Sequence, residues 1–101
     1  MSSQRRRVRV TDQFFERLDE LLPAERTIDG RPSATDFLLH DLPTMIDRLA
    51  DDYIACTLPV EELAPVRVMI TSGLLVPYLS LYVTLTIEDV IEVLYLDIGP
   101  N

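Results

Sequence analysis

A chain of 101 residues sets the expectation of one small domain over residues 1–101, large enough to bury a core without disulfides or metal. It carries nine basic and seventeen acidic side chains, net −8, and every base is an arginine. Arg5, Arg6, Arg7 and Arg9 precede the first acid, Asp12, so the rest holds five bases against seventeen acids, net −12, which excludes nucleic-acid binding by the main body because such binding needs clustered cations against phosphates.

Val8 and Val10 alternate with Arg7 and Arg9, the pattern of a short strand with charge on its open face. Thr11 then offers an N-cap hydroxyl, with Asp12 in the first turn where a carboxylate suits the helix dipole. Phe14, Leu18, Leu21 and Leu22 fall on one helical stripe, and Pro23 stops it, which predicts a helix from Asp12 to Leu22. A polar loop follows, with Asp29-Gly30 as its turn signal. Ser33-Ala34-Thr35-Asp36 is a capping-box pattern that opens a second helix. Leu38, Leu42, Met45 and Leu49 continue its apolar stripe, but Pro43 removes a backbone hydrogen bond and clashes with the turn before it. The second helix is therefore expected to kink or split there.

Beyond a loop rich in Pro and Glu, from Thr57 to Pro65, the pattern becomes extended. Val66, Val68 and Ile70 alternate with Arg67, Met69 and Thr71, and Ser72-Gly73 marks a hairpin turn. From Leu75 on, Leu75, Leu79, Leu81, Val83 and Leu85 are expected on one face, with Tyr78, Ser80, Tyr82 and Thr84 on the other. Glu88-Asp89 makes a further turn. Val90 to Ile98 is apolar on nearly every position except Glu92, as in a central strand covered on both faces. The order β-α-α-β-β-β implies an α+β fold, two helices packed on one antiparallel sheet.

The chemistry-bearing residues are few. His40 is the only histidine and Cys56 the only cysteine, so neither a nucleophilic triad nor a structural zinc set is present. No metal, no cofactor and no catalytic residue is expected, and the enzymatic question leans to no. Asp51-Asp52 and Glu61-Glu62 lack the spacing of a calcium loop, and three glycines leave no phosphate-cradling loop. Pro77, Ser80 and Thr84 interrupt the longest apolar stretch, Leu74 to Leu85, which falls far short of the roughly 20 residues of a membrane span. The lone cysteine and the missing apolar signal core give cytoplasmic as the default location.

Three features are candidates for binding. The arginines Arg5 to Arg9, with Arg5 and Arg7 foremost, fit either an anion or nucleic-acid contact or a charged edge strand that discourages edge-to-edge pairing and meets the protein's own acids. Tyr78 and Tyr82, four apart on one strand, fit either a groove or packing against the helices. Arg67, alone among Val66, Val68 and Ile70, is expected to face solvent on the open side of the sheet or to pair with a carboxylate such as Glu92.

The element order, Val66-Arg67-Val68 at the start of the sheet, Arg48-Leu49-Ala50 at the end of the second helix and Val93-Leu94-Tyr95-Leu96 near the last strand together resemble the RelE/ParE toxin superfamily of bacterial toxin–antitoxin modules, over residues 6 to 99. In that family an aromatic-Arg-aliphatic run opens the strand; Arg67 matches its arginine, and Val66 replaces its aromatic. Members that cut messenger RNA are basic and use a lysine, arginines and a late tyrosine or histidine around the scissile phosphate. Here lysine is absent, and Gly99-Pro100-Asn101 stands where a basic, aromatic tail would follow. The resemblance thus implies a divergent member acting by protein–protein contact, with a cognate antitoxin and DNA gyrase as the family's partners, rather than by RNA cleavage. An antitoxin for so acidic a domain is expected to carry more Arg and Lys than acids in its wrapping segment. A non-toxic interaction or regulatory module on the same scaffold, and an unrelated small α+β homodimer, are the alternatives.

Overall fold

Thr11 ends the first strand and begins the first helix with a single side chain. The computed structural model, which describes residues 5–99, places β1 at Arg7–Val10 and α1 at Asp12–Leu21. The Thr11 hydroxyl accepts from the Phe14 amide at 3.3 Å and donates to the Val93 carbonyl at 2.9 Å. It therefore caps α1 and ties it to the last strand at once. Phe14 and Leu18 are buried as the stripe requires, and Leu22 leaves the helix with extended backbone.

The second helix, α2, spans residues 34–56. Its capping box is complete: the Ser33 hydroxyl accepts from the Asp36 amide and the Asp36 carboxylate from the Ser33 amide, both at 3.0 Å. Pro43 does not end the run of helical backbone, but the helix changes type just before it. The turn before the proline, Phe37–Asp41, widens into a π-helix in which the Leu42 amide reaches back to the Phe37 carbonyl. A wider turn moves the preceding carbonyls away from the pyrrolidine ring, so the clash that forces a kink in an α-helix does not arise. A kink in α2 lies at Asp52, where φ is −140° and ψ 49°. Met45, Leu49 and Tyr53 are buried along the helix, and Leu38 is half-buried against the core.

Five strands form one sheet in the order β1-β5-β4-β3-β2, with β2 at Leu58–Pro59, β3 at Arg67–Thr71, β4 at Leu79–Leu85 and β5 at Val90–Ile98. The sheet is mixed, not antiparallel: β1 runs parallel to β5, Arg7 opposite Val90 and Val10 opposite Val93. A hairpin forces antiparallel pairing, but β1 and β5 are joined through the whole of the domain, so no local turn dictates their direction. The short β2 is an additional edge strand inside the expected loop. A 3-10 turn at Glu61–Leu63 separates it from β3.

Two further expectations change. Ser72-Gly73 does not make a tight hairpin; residues 72–78 form a longer loop, which takes Leu75 and Tyr78 off the strand and starts β4 only at Leu79. The other turn falls as expected around Glu88-Asp89, with Asp89 in the left-handed region at φ 66° and its amide donating to the Thr86 carbonyl at 2.9 Å. Nor is β5 covered on both faces. Ile91, Val93 and Leu96 are buried while Tyr95 and Asp97 are exposed, because both helices lie on one side of the sheet. A β-bulge sits in β5: Tyr95 pairs with Tyr82 and Val93 with Val83, leaving Leu94 without an opposite number. The extra residue shifts the alternation by one. Val93 and Tyr95, which strict alternation puts on the same face, end on opposite faces.

Candidate functional site

With the helices on one side, the other face of the sheet stays open, and the strand register lays a row of side chains across it. Leu58 lies opposite Val68, Val68 opposite Tyr82, and Tyr82 opposite Tyr95. The two tyrosine rings meet edge to face, their centroids 5.9 Å apart, an arrangement aromatic pairs favour. The guanidinium of Arg17, from α1, sits over the Tyr95 ring at 4.7 Å and ends the row. Its Nε donates to the Leu96 carbonyl at 3.0 Å. That carbonyl lies on the stretch of β5 beyond the end of β1, so Arg17 covers a sheet edge that no strand occupies. Beside the tyrosines, Gln13, Leu63, Val66 and Leu94 complete a shallow groove of about 290 Å³.

The acids of this face are matched. Glu92 pairs with Arg9 across the parallel strands, and Asp97 accepts from Arg17 at 3.2 Å. Both pairs stand at the β5 end of the face; across β5, β4, β3 and β2, Tyr95, Tyr82, Ser80, Val68, Ile70 and Leu58 bear no charge. On a molecule of net −8 this row is uncharged and rich in exposed apolar area: Ile70 is 67% and Leu58 60% exposed. Such area rimmed by polar groups is the usual form of a protein-binding surface.

Of the candidate binding residues, Tyr82 lies in this row. Tyr78 does not share its strand: it stands exposed in the loop before β4, its carbonyl accepting from the Gly99 amide at 2.9 Å. Tyr95 was invisible as a partner for Tyr82, since only the bulge at Leu94 brings it to this face. Gly99 is the last described residue, so the tail reading at Pro100-Asn101 lies outside the described residues.

Arg67 is on the opposite side of the sheet from its expected position, and Glu92 is not its partner. Arg67, Met69 and Thr71 point toward the helices while Val68 and Ile70 point away. Its Nε donates to Thr57 Oγ1 at 2.7 Å and its Nη2 to the Thr57 carbonyl at 3.0 Å and the Ile54 carbonyl at 3.4 Å. The Thr57 hydroxyl in turn donates to the Tyr53 carbonyl at 2.6 Å. These bonds close the carbonyl end of α2, where a helix leaves acceptors without internal donors and where a cation suits the dipole. Arg67 is thus bound into the structure. It also lies 5.9 Å from the Tyr53 ring, as does Arg6. Burial pushes the Tyr53 hydroxyl up from its ordinary pKa, and its oxygen has no hydrogen-bond partner among the described residues.

The N-terminal arginines meet the protein's own acids. Arg5 bonds Asp51 at 2.8 Å and Asp47 at 3.1 Å, both on α2, and Arg6 bonds Asp89 at 3.1 Å. Arg7 is exposed and makes no ion pair among the described residues. Cys56 is half-buried near the Arg48 carbonyl, and burial pushes its thiol up, away from the thiolate that nucleophilic or redox chemistry requires. The described residues contain no group of three or more histidine, cysteine or acidic side chains placed to hold a metal, and no helix among them is long and apolar enough to cross a membrane. No family model, no curated protein and no solved structure matches the chain.

Proposed function

We propose that this chain is a protein-interaction module, a divergent relative of the RelE/ParE toxins that acts by holding a partner protein rather than by cutting RNA. The observation that carries the reading is the uncharged row Leu58, Val68, Tyr82 and Tyr95 on the open sheet face, with the Arg9–Glu92 and Arg17–Asp97 pairs at its β5 end. Tyrosine is among the residues that carry most of the energy in protein interfaces, exposed aliphatic groups around it help to exclude water, and matched charges at the rim fix orientation. Against RNA cleavage stands the disposition of the cations. Five of the nine arginines are paired with carboxylates and Arg67 is bonded to the end of α2, which leaves three, Arg7, Arg31 and Arg48, without such partners among the described residues. Transition-state stabilisation of phosphoryl transfer needs several cations at one phosphate. A net charge of −8 also favours a basic partner over a nucleic acid, as an antitoxin with a basic wrapping segment would be.

The test is induced expression in a bacterial host, with wild type beside the pair of variants Tyr82→Glu and Ile70→Glu. Growth arrest by wild type and normal growth with either variant, at equal soluble protein, supports a toxin working through this face. Normal growth at high wild-type expression removes the toxin reading and leaves the non-toxic module on the same scaffold. Messenger RNA cut in a translating extract by the purified protein overturns the whole proposal.

A further inference from the structure

The longer loop between β3 and β4 leaves a cleft against α2, lined by His40, Asp41, Thr44, Arg48, Thr71 and Ser72 and holding about 310 Å³. Its construction begins with Asp41, which is only 2% exposed. The two carboxylate oxygens accept from three successive loop amides, Leu74 at 2.7 Å, Leu75 at 3.1 Å and Val76 at 3.0 Å. Those bonds hold the loop against the π-helical turn, and Gly73 passes so close that a Cβ there would overlap the Asp41 carboxylate. The wall of the cleft is therefore fixed before any ligand arrives, which lowers the ordering cost of binding.

The opposite wall is a helical stripe. His40, Thr44 and Arg48 stand four residues apart on one face of α2. Arg48 donates through Nη1 to Thr71 Oγ1 at 2.9 Å, which orients its guanidinium and leaves the Thr71 hydroxyl proton free to donate. Seventeen acids surround the nine arginines of this chain, yet Arg48 has no carboxylate partner among the described residues. Asp41 does not serve as one; its oxygens are taken by the loop amides. The cleft thus presents a free guanidinium, three hydroxyls from Thr44, Thr71 and Ser72, and an exposed imidazole. Donors on two walls of one cleft suit a tetrahedral oxyanion better than a planar carboxylate, which a single guanidinium fork satisfies.

From this geometry we infer that the cleft between α2 and the β3–β4 loop is a binding site for a phosphate group, free or as a small monoester, with Arg48 as its cation. The inference stands apart from the protein-binding proposal, since the cleft and the open sheet face share no residue. Binding here is recognition only; one arginine is too few to stabilise the transition state of phosphoryl transfer.

His40, as the only histidine, makes the test direct. Sodium phosphate is titrated into the full chain at fixed pH and ionic strength while the imidazole ring protons are followed by NMR, with glycerol 3-phosphate and sodium acetate in parallel. The expected result is a saturable shift with phosphate, the monoester or both, and none with acetate. Saturation by the monoester alone assigns the site to a phosphorylated metabolite, and by phosphate alone to the free ion. Arg48→Gln is expected to weaken the response about tenfold or more, as loss of a charge-assisted contact does, and Thr44→Val to weaken it less. Arg7→Gln leaves it unchanged. A linear drift without saturation, equal saturation by acetate, or an undiminished response in folded Arg48→Gln overturns the inference.

Discussion

Charged side chains hold this molecule together in two places and in opposite ways. Along the seam between α2 and the sheet, Asp41 and Arg67 bond to backbone: Asp41 to three loop amides, Arg67 to the last carbonyls of the helix. Along the β1 edge, Arg5, Arg6 and Arg9 bond to other charges, Asp47 and Asp51, Asp89, and Glu92. Each edge pair has at least one partner well exposed to water, and in the Arg5–Asp47 pair both are, at 55% and 68%. Water competes for both partners there and salt screens them, so each pair contributes little. The seam charges satisfy backbone groups that have no other partner. Removing one strands those groups, and the loss approaches the full cost of leaving a polar group unmet.

This contrast is open to direct attack, starting where the expected effect is largest. Asp41→Ala leaves three amides without an acceptor and is expected to lower the unfolding free energy by about 3 kcal/mol or more, read from urea denaturation. A loss below about 1 kcal/mol would put Asp41 with the edge pairs and erase the distinction. Arg67→Met keeps the aliphatic stem and removes the guanidinium; a loss of about 1.5–3 kcal/mol is expected, the range for hydrogen bonds to a charged group. Hydrogen exchange of the amides in the last turn of α2 should rise with it.

Asp36 is an intermediate case and gives the pH dependence. The Arg26 guanidinium and then the Ser33 amide hold its carboxyl down to about 2. Because the folded value lies below the unfolded one, near 4, the ionised group stabilises the fold above that unfolded value. Its contribution fades as the pH falls from about 4 toward 2. Thermal midpoints of wild type should drop across that window, and Asp36→Asn should flatten part of the drop; an identical pH profile in both would remove Asp36 as a cause. The smallest effect is expected at the edge. Arg5→Gln should cost about 0–1 kcal/mol in low salt and nothing measurable in 1 M sodium chloride. A salt-independent loss would show that the β1 edge behaves like the seam.

Local chemistry accounts for what the sequence reveals well. The Thr11 cap and the Ser33–Asp36 box involve residues three apart, and the stripe of Leu42, Met45 and Leu49 needs only helical periodicity. The inward set Leu79, Leu81 and Val83 needs only alternation. Misreadings occur wherever a distant residue takes over. Arg67 reads as solvent-facing or paired with a carboxylate such as Glu92, but the helix end at Ile54 and Thr57 draws it inward, and Val68 and Ile70 turn out. Ser72-Gly73 reads as a tight turn; Asp41, thirty-odd residues earlier, collects the loop amides and makes it long. Pro43 reads as a break, and one π-turn absorbs it. Of the open-face row, Tyr82 is legible from alternation, whereas Tyr95 requires the bulge.

By itself the sequence determines the class: an acidic α+β domain with capped helices followed by strands, its cations all arginine. Charge, capping residues and periodicity are properties of neighbours along the chain, and they survive translation into structure almost unchanged. Tertiary structure alone decides which face of the sheet stays open, that β1 runs parallel to β5, and which arginines are free. Those outcomes depend on which backbone groups and carboxylates compete for the same partner across the fold. Arg67 loses its freedom to a helix end and Arg5 to two acids, while Arg48 bonds a hydroxyl, Thr71, and the nearby Asp41 bonds the loop amides.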